Sequence, residues 1–462
     1  MMKFERYLNV INTYFFYLII GIYLLLMLVG LDTIRPIRCD EAWYSNTGFN
    51  FSLGHGFEND ITFKGSNSNL ALPFLLGCSF KLFGFSLYTA RLVSVFSGLF
   101  FLIAFRRIME YYSLSLKYQI IGFVSFLSIS FFYSVFSYAR PEGLALAFLA
   151  FGIYYLILFT NTRKYKYFYL MAVELYLSFM SHPYMSIYFL AFGIYLTYIS
   201  FAEKNIKLFY HLFILLLAAV LAIYSTVLAH CYYNYHSLDV INATNDVFSR
   251  TSLRSVKSDL LGDRIGVFVE QYIFSSRVIF AVPLFIVVVF GLFLKNKMIK
   301  VLAIFSISHF ILSFFIFKND LGMFPTTHTY CIAVSILIFP FVLYEYQLTR
   351  WVAITVVTFI LINFTASIYY NTTRSENVNK QLSNDLKRFI PDKSYVYGPI
   401  ECWFFLPNTN YKSNIYKEKL DFSKFDYVIL RNTEAGALFS TYTKVYKNHS
   451  SQYGDISVYK KQ

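Results

Sequence analysis

The sequence predicts a polytopic α-helical membrane protein that ends in a small extracytoplasmic α/β domain. Three observations carry this. Of 462 residues 57% are hydrophobic and 21% aromatic, while only 14% are charged, against roughly a quarter charged in soluble domains. Apolar stretches long enough to cross a bilayer, about 20 residues each, recur along the chain. The last 92 residues return to about 25% charged, with 14 Lys/Arg and 9 Asp/Glu, the level of a soluble module.

The expected spans lie near 11–31, 91–108, 118–137, 142–160, 166–182, 184–200, 207–229, 278–294, 300–317, 328–344 and 351–368. The first follows Lys3 and Arg6 without a small-residue cleavage site, which reads as a retained anchor. Residues 70–85 are apolar but short, and they carry Lys81. If they do not span, Arg106, Arg107, Lys117, Arg163, Lys164, Lys166, Lys204, Lys207, Lys295, Lys297 and Lys300 all share a side with Lys3 and Arg6. The positive-inside rule therefore makes 70–85 an interfacial helix, the N-terminus cytoplasmic and the C-terminus outside. The total is about 11–13 spans. The net charge of +14 marks topology, and no basic stretch interleaved with aromatics points to nucleic acid.

The chain divides into a membrane domain, 1–370, with outer loops at 32–90 and 230–277, and an outer soluble domain, 371–462. In the latter a helix near 376–390 ends before Pro391, and YVYG (395–398), YVIL (427–430) and ISVY (456–459) read as short strands. Five cysteines are scattered, with no C-x-x-C pair.

Outside the spans, the first loop opens RPIRCDEAWYSNTGF. Asp40 and Glu41 stand where an enzyme facing outward could use a carboxylate as general base, and a solvated acidic pair is the structural alternative. Ala42, Trp43, Phe49 and Leu53, ending at Gly54, follow at helical spacing, so an amphipathic helix would lie on the membrane with the carboxylates at its start.

Together these pieces resemble a known family. Asp40-Glu-Ala-Trp-Tyr44 just after the first span, an interfacial Leu70–Gly84 ending Lys-Leu-Phe-Gly, and Ala90-Arg-Leu92 opening the next span look like the C-type (GT-C) membrane glycosyltransferases. The protein O-mannosyltransferase and lipid A aminoarabinose transferase subgroup is the most similar. Tyr138-Ala-Arg-Pro-Glu142 looks like that family's Ala-Arg-Pro-Asp turn, and His328-Thr-Tyr330 like its His/Arg-x-Tyr. The resemblance covers residues 1–345 in order.

It implies an inverting glycosyltransferase that takes a sugar from a polyprenyl-phosphate donor, a lipid-linked co-substrate, to a glycan, lipid or protein acceptor outside the membrane. Asp40 matches the aspartate that handles the acceptor nucleophile, and Glu41 the second acidic residue. The family's further acidic or Lys-Pro element has no clean match. Glu58, Asp60 and Lys64 stand before Asn69, and Pro73 is displaced.

The chemistry needs a base for the acceptor and cations for the departing phosphate. Arg140 at a membrane edge suits the second role, or that of an anchor snorkelling to headgroups. His328 and Tyr330 could donate to the phosphate. Arg250, Arg254 and Lys257 would share a helix face able to hold it, although Asp259, Asp263 and Glu270 would neutralise that face. Glu142, His182 and Tyr184 could line the donor cavity, with a proline turn as the plain reading of His182-Pro-Tyr184. A divalent metal stays open.

Glu174 and His309 lie at membrane depth, where an ionisable residue suggests transport. A lipid or glycan transporter, or a glycan polymerase, is the alternative function. Large outer loops and an outer module favour the enzyme, because transporters gather polar groups at broken helices in the midplane.

Overall fold

The computed structural model of the protein describes residues 2–33, 35–61, 70–235, 278–316, 324–347, 349–372, 378–413, 422–431, 441–450 and 453–462. All the stretches expected to span fall on helices. These are α1 (Met2–Leu28), then, after the short α2 (Cys39–Ser52) and α3 (Ala71–Phe83), α4 (Leu87–Tyr111), α5 (Leu116–Ser128), α6 (Ser130–Ser137), α7 (Pro141–Thr162), α8 (Tyr165–Ser181), α9 (Ser186–Ala202) and α10 (Ile206–Tyr235). The remainder are α11 (Val278–Gly291), α12 (Lys297–Ile316), α13 (Phe324–Glu345) and α14 (Arg350–Thr372).

Among the described residues, α4, α7 and the Arg350–Ile368 part of α14 are each long and apolar enough to cross a bilayer alone. The protein is a multi-pass membrane protein. With 13 residues, α3 reaches only about 20 Å at 1.5 Å per residue, short of the roughly 30 Å hydrocarbon core, as its interfacial reading requires.

The 118–137 stretch is not the continuous span expected. It breaks between α5 and α6 with a 69° bend, at Ser-Ile-Ser, with neither proline nor glycine. Ile129 is extended there, and hydroxyls take up the freed carbonyls: Ser128 Oγ donates to Ser125 O at 2.9 Å, and Ser367 Oγ of α14 donates to Ser128 O at 2.8 Å. Such side-chain substitution lets a helix break inside a membrane.

The helix α2 begins at the acidic pair as expected, but its most buried face is largely polar. Ser45, Asn46, Thr47 and Asn50 are buried while Leu53 is exposed. The polar groups are satisfied by the 58–60 segment: Asn46 Nδ2 donates to Asp60 Oδ1 (2.6 Å), Asn50 Nδ2 to Glu58 O (3.1 Å), and Asn59 Nδ2 to Trp43 O (2.9 Å). Partnered amides are as acceptable inside as apolar groups, and hydrophobic spacing does not register them. Two glycines set the approach of α3: a Cβ on Gly48 would stand 2.7 Å from Leu76 Cβ, and one on Gly77 2.8 Å from the Gly48 carbonyl.

Beyond the spans, α15 (Val378–Phe389) packs on a five-stranded sheet of β1 (Tyr395–Gly398), β2 (Asn410–Ser413), β3 (Tyr427–Arg431), β4 (Tyr442–Ser450) and β5 (Gly454–Lys461). The order is β2-β1-β3-β5-β4; β1 is parallel to β2 and β3, and β5 is antiparallel to β3 and β4. The sequence reading finds the three central strands and misses the edges, β2 and β4, whose polar residues carry little strand signal.

The module does not float above the bundle. Trp403 and Phe404, in a 3-10 helix at Ile400–Phe405, pack on Phe49 of α2 and on Phe85, with ring centroids 5.2–6.1 Å apart. One buried apolar cluster joins Ala42, Leu72 and Ala139 to Val396, Trp403 and Val458.

Candidate active site

The site begins with a residue that the sequence reading passed over as the start of a span. Arg91, in the first turn of α4, is completely buried, and all five of its N–H donors are used. Nε donates to Glu41 Oε1 (2.9 Å), Nη2 to Glu41 Oε2 (2.8 Å) and Pro36 O (3.1 Å), and Nη1 to Leu31 O (2.6 Å) and Arg35 O (3.1 Å). Its guanidinium lies 5.1 Å from the centroid of the Tyr138 ring.

Glu41 is saturated in turn, accepting Arg38 N–H (2.9 Å) at the start of α2 and Ala139 N–H (2.8 Å). It has no exposed surface. The acidic pair therefore splits: Glu41 is built into the frame and is not presented to a substrate, whereas the Asp40 carboxylate is 38% exposed. An arginine inside the first turn of an apolar helix was the signal for this, because a charge there demands a partner.

Glu41 ties the start of α2 to the Tyr138–Arg140 turn, and this brings Asp40 to Arg140. Pro141 occupies the first position of α7 and holds Arg140 extended before it, so the guanidinium swings clear of the helix. Arg140 Nη2 lies 3.0 Å from Asp40 Oδ2 and 2.6 Å from Glu142 Oε1. Burial works against its charge, but Glu142 and Asp40 outweigh that and raise its pKa further.

Deeper, the His182 ring packs 4.7 Å from Tyr184 and 5.4 Å from Tyr330, and His309 lies 5.9 Å from Tyr330 and 4.7 Å from Tyr188. Burial, together with the charges of Arg140 and His309, pushes His182 down to about 3, so it is neutral at physiological pH. Its Nδ1 accepts the Tyr184 N–H at 3.4 Å, which leaves the proton on Nε2.

Arg140 Nε, Glu142 Oε2 and Tyr330 Oη are buried without a hydrogen-bond partner among the described residues. Such groups are uncommon in folded proteins, and each calls for a partner such as a water, an ion or a ligand.

Thus Asp40, Arg140, Glu142, His182, Tyr184 and Tyr330 come together. Lys64, Arg250 and Arg254 lie outside the described residues, as does the side chain of His328. Among the described residues no three His, Cys, Asp or Glu side chains gather in a way that could hold a metal. Glu174 is apart from the cluster. It borders a groove of about 550 Å³ lined also by Leu144, Phe148 and Tyr155 of α7, on the side of that helix turned away from Glu142 by its periodicity.

The fold has counterparts among solved structures. The crystal structures of ArnT from Cupriavidus metallidurans, bound to undecaprenyl phosphate and in the apo state, each superpose with a TM-score of 0.67, covering 97% of this chain and 98% of theirs at 11% identity. The fold is GT-C-like. No protein-family profile matches the sequence, and no curated protein sequence does.

Removing one partner of a saturated buried ion pair typically costs about 3–5 kcal/mol. Arg91→Met should therefore lower the thermal midpoint of the detergent-solubilised protein sharply, whereas Arg107→Met, whose side chain is 61% exposed, should leave it nearly unchanged. His182 yields a pH dependence. Between its ordinary 6.5 and about 3 the unfolded chain binds a proton that the folded one refuses, so stability falls as pH falls through this window, by at most about 1.4 kcal/mol per unit. The slope of thermal midpoint against pH between 6.5 and 5.5 should flatten in His182→Gln.

Proposed function

We propose that the chain is an inverting glycosyltransferase that moves a sugar from a polyprenyl-phosphate donor to a glycan, lipid or protein acceptor on the extracytoplasmic side. The observation that carries this reading is the meeting of one partly exposed carboxylate, Asp40, with a guanidinium that has an unpartnered N–H, Arg140, above buried unpartnered polar atoms. This occurs in a GT-C-like fold, and a protein of that fold binds undecaprenyl phosphate.

In the proposed reaction Asp40 accepts the proton of the acceptor hydroxyl as its oxygen forms a bond to the anomeric carbon. The bond from that carbon to the phosphate oxygen breaks on the opposite face, which inverts the centre. The electron pair leaves with the polyprenyl phosphate. Arg140 balances the growing phosphate charge through its Nε–H, since its Nη2 is engaged by the two carboxylates. Glu142 Oε2, Tyr330 Oη and the neutral His182 Nε2–H supply the acceptor and donors that sugar hydroxyls require. Tyr184 orients His182. Glu41 takes no part in proton transfer, because its oxygens are already filled. Lys64, His328, Arg250 and Arg254 remain further candidates for the phosphate, and a divalent metal remains a candidate partner.

The charge distribution supports an orientation. Arg91, at the site end of α4, precedes Arg106 by 15 positions, roughly 22 Å of helix. Arg106 packs over Phe16 of α1, Arg163 pairs with Glu203, and Lys207 lies over Tyr165. These cations gather at the helix ends remote from Asp40, which supports a cytoplasmic position for that end and an outer one for the 371–462 domain.

Purified protein assayed with a panel of polyprenyl-phosphate sugars tests the reaction. Asp40→Asn should lose about 10² to 10⁴ of the transfer rate while donor binding persists, and Arg140→Gln should weaken donor binding. Full transfer by Asp40→Asn would dismiss the proposed base. Single cysteines introduced at Lys393 and Lys204 should react with an impermeant maleimide from the outside and only after permeabilisation, respectively. The reverse pattern would overturn the orientation.

A further inference from the structure

The stretch before Asp40 is held from two sides. From below, Arg91 donates to the carbonyls of Leu31, Arg35 and Pro36. From above, two separate elements of the C-terminal module grip the same residues. Asn379, in the first turn of α15, donates through Nδ2 to Asp32 O at 2.7 Å and to Arg35 O at 2.8 Å. Tyr453, just before β5, accepts the Ile37 N–H at 2.7 Å and donates to Asn379 Oδ1 at 2.6 Å.

Both residues are buried. The Arg35 carbonyl receives Arg91 and Asn379 together, one donor from each domain. Tyr453 is itself fixed, since Arg431 Nε donates to its carbonyl at 2.5 Å and Arg431 Nη1 lies 3.6 Å from Glu401. Only Arg38 and Cys39 separate Ile37 from Asp40, so the backbone clamped at Ile37 sets where the first turn of α2 begins.

We infer that Tyr453 and Asn379 are positioning residues for Asp40, so that the C-terminal module completes the active site through the backbone of residues 32–37 rather than by touching substrate. The inference rests on the reading of Asp40 as the base. Its consequence is that the module acts on the chemical step: a displacement of about 1 Å at a reacting group can cost a hundredfold in rate, with no change in the groups that hold the donor. Module residues away from the clamp contribute stability alone.

The test uses the full-length protein and two readouts, one of them independent of activity. Cys39 is exposed beside Asp40, with Sγ 3.5 Å from Asp40 Oδ1. Although the residue reaches solvent, the chain packed around its sulfur desolvates the thiolate, and this first, then the charges of Asp40 and Glu401, push the thiol up to about 12. A first turn that has shifted away from those charges exposes a more acidic thiol, which iodoacetamide alkylates faster, as followed on the Cys39 peptide by mass spectrometry.

Tyr453→Phe, which leaves the Ile37 N–H unpartnered, should speed Cys39 alkylation severalfold and lower kcat by about tenfold to a hundredfold, with donor KM within about twofold. Asn379→Ala should do the same. Tyr446→Phe, which removes the hydrogen bond to Asp385 elsewhere in the module, should leave both readouts at the wild-type value and serves as the control for module stability. Wild-type alkylation and kcat in folded Tyr453→Phe and Asn379→Ala would overturn the inference. So would equal losses in Tyr446→Phe. If the wild type transfers no sugar yet alkylation still responds to Tyr453→Phe, the clamp stands and the reading of the reaction fails.

Discussion

A guanidinium buried in an apolar helix bundle is tolerable only where every N–H finds an acceptor and its charge finds a counter-charge, and Arg91 meets that demand in a single way. Its five donors reach three carbonyls of the chain leaving α1 and both oxygens of Glu41, whose remaining capacity is filled by the N–H groups of Arg38 and Ala139. The pair thus binds four pieces of chain at one point: the exit of α1, the start of α2, the start of α4 and the turn before α7. The placement of Asp40 beside Arg140 follows from this, because Asp40 is the chain neighbour of Glu41 and Arg140 that of Ala139, whose N–H Glu41 accepts.

The contrast between the two arginines separates frame from site on physical grounds. Both are flanked by carboxylates. Arg91 is saturated and rigid, with no capacity left for a ligand. Arg140 keeps an unpartnered Nε, and Glu142 and Tyr330 keep unpartnered oxygens. Burial of such groups costs free energy unless something pairs with them, so the chain carries at this place a destabilising feature that a bound polar ligand would relieve. The neutral state of His182 belongs to the same logic, since a second cation this close to Arg140 in a buried setting is disfavoured.

The membrane and the C-terminal module divide the remaining work. Helices satisfy their own backbone groups and so can fill the bilayer; the break between α5 and α6 survives because Ser128 and Ser367 replace the lost bonds. The module, anchored by Trp403 and Phe404 against Phe49 and Phe85, covers the chain at Asp32 and at 35–37, where Asn379 and Tyr453 partner its backbone. Its sheet hides one edge in the same way: Ser413 N–H of β2 donates to Ile61 O at 2.7 Å.

The fold class was legible in the sequence because bilayer crossing imposes length and hydropathy on each helix, and these are local properties. The short helix at 70–85 and the central strands of the module were legible for the same reason. The sequence could not show that Glu41 is structural while its neighbour Asp40 is partly exposed. That distinction depends on Arg91, 50 positions away, and on which carboxylate the helix rotation aims inward. Nor could it reveal the buried polar face of α2, the polar edge strands, the break at Ile129 or the grip of Asn379 and Tyr453 on residues over 300 positions earlier. Those features are hydrogen bonds between distant segments, and hydrogen bonding leaves no periodic trace in composition; only the folded chain decides which donor meets which acceptor.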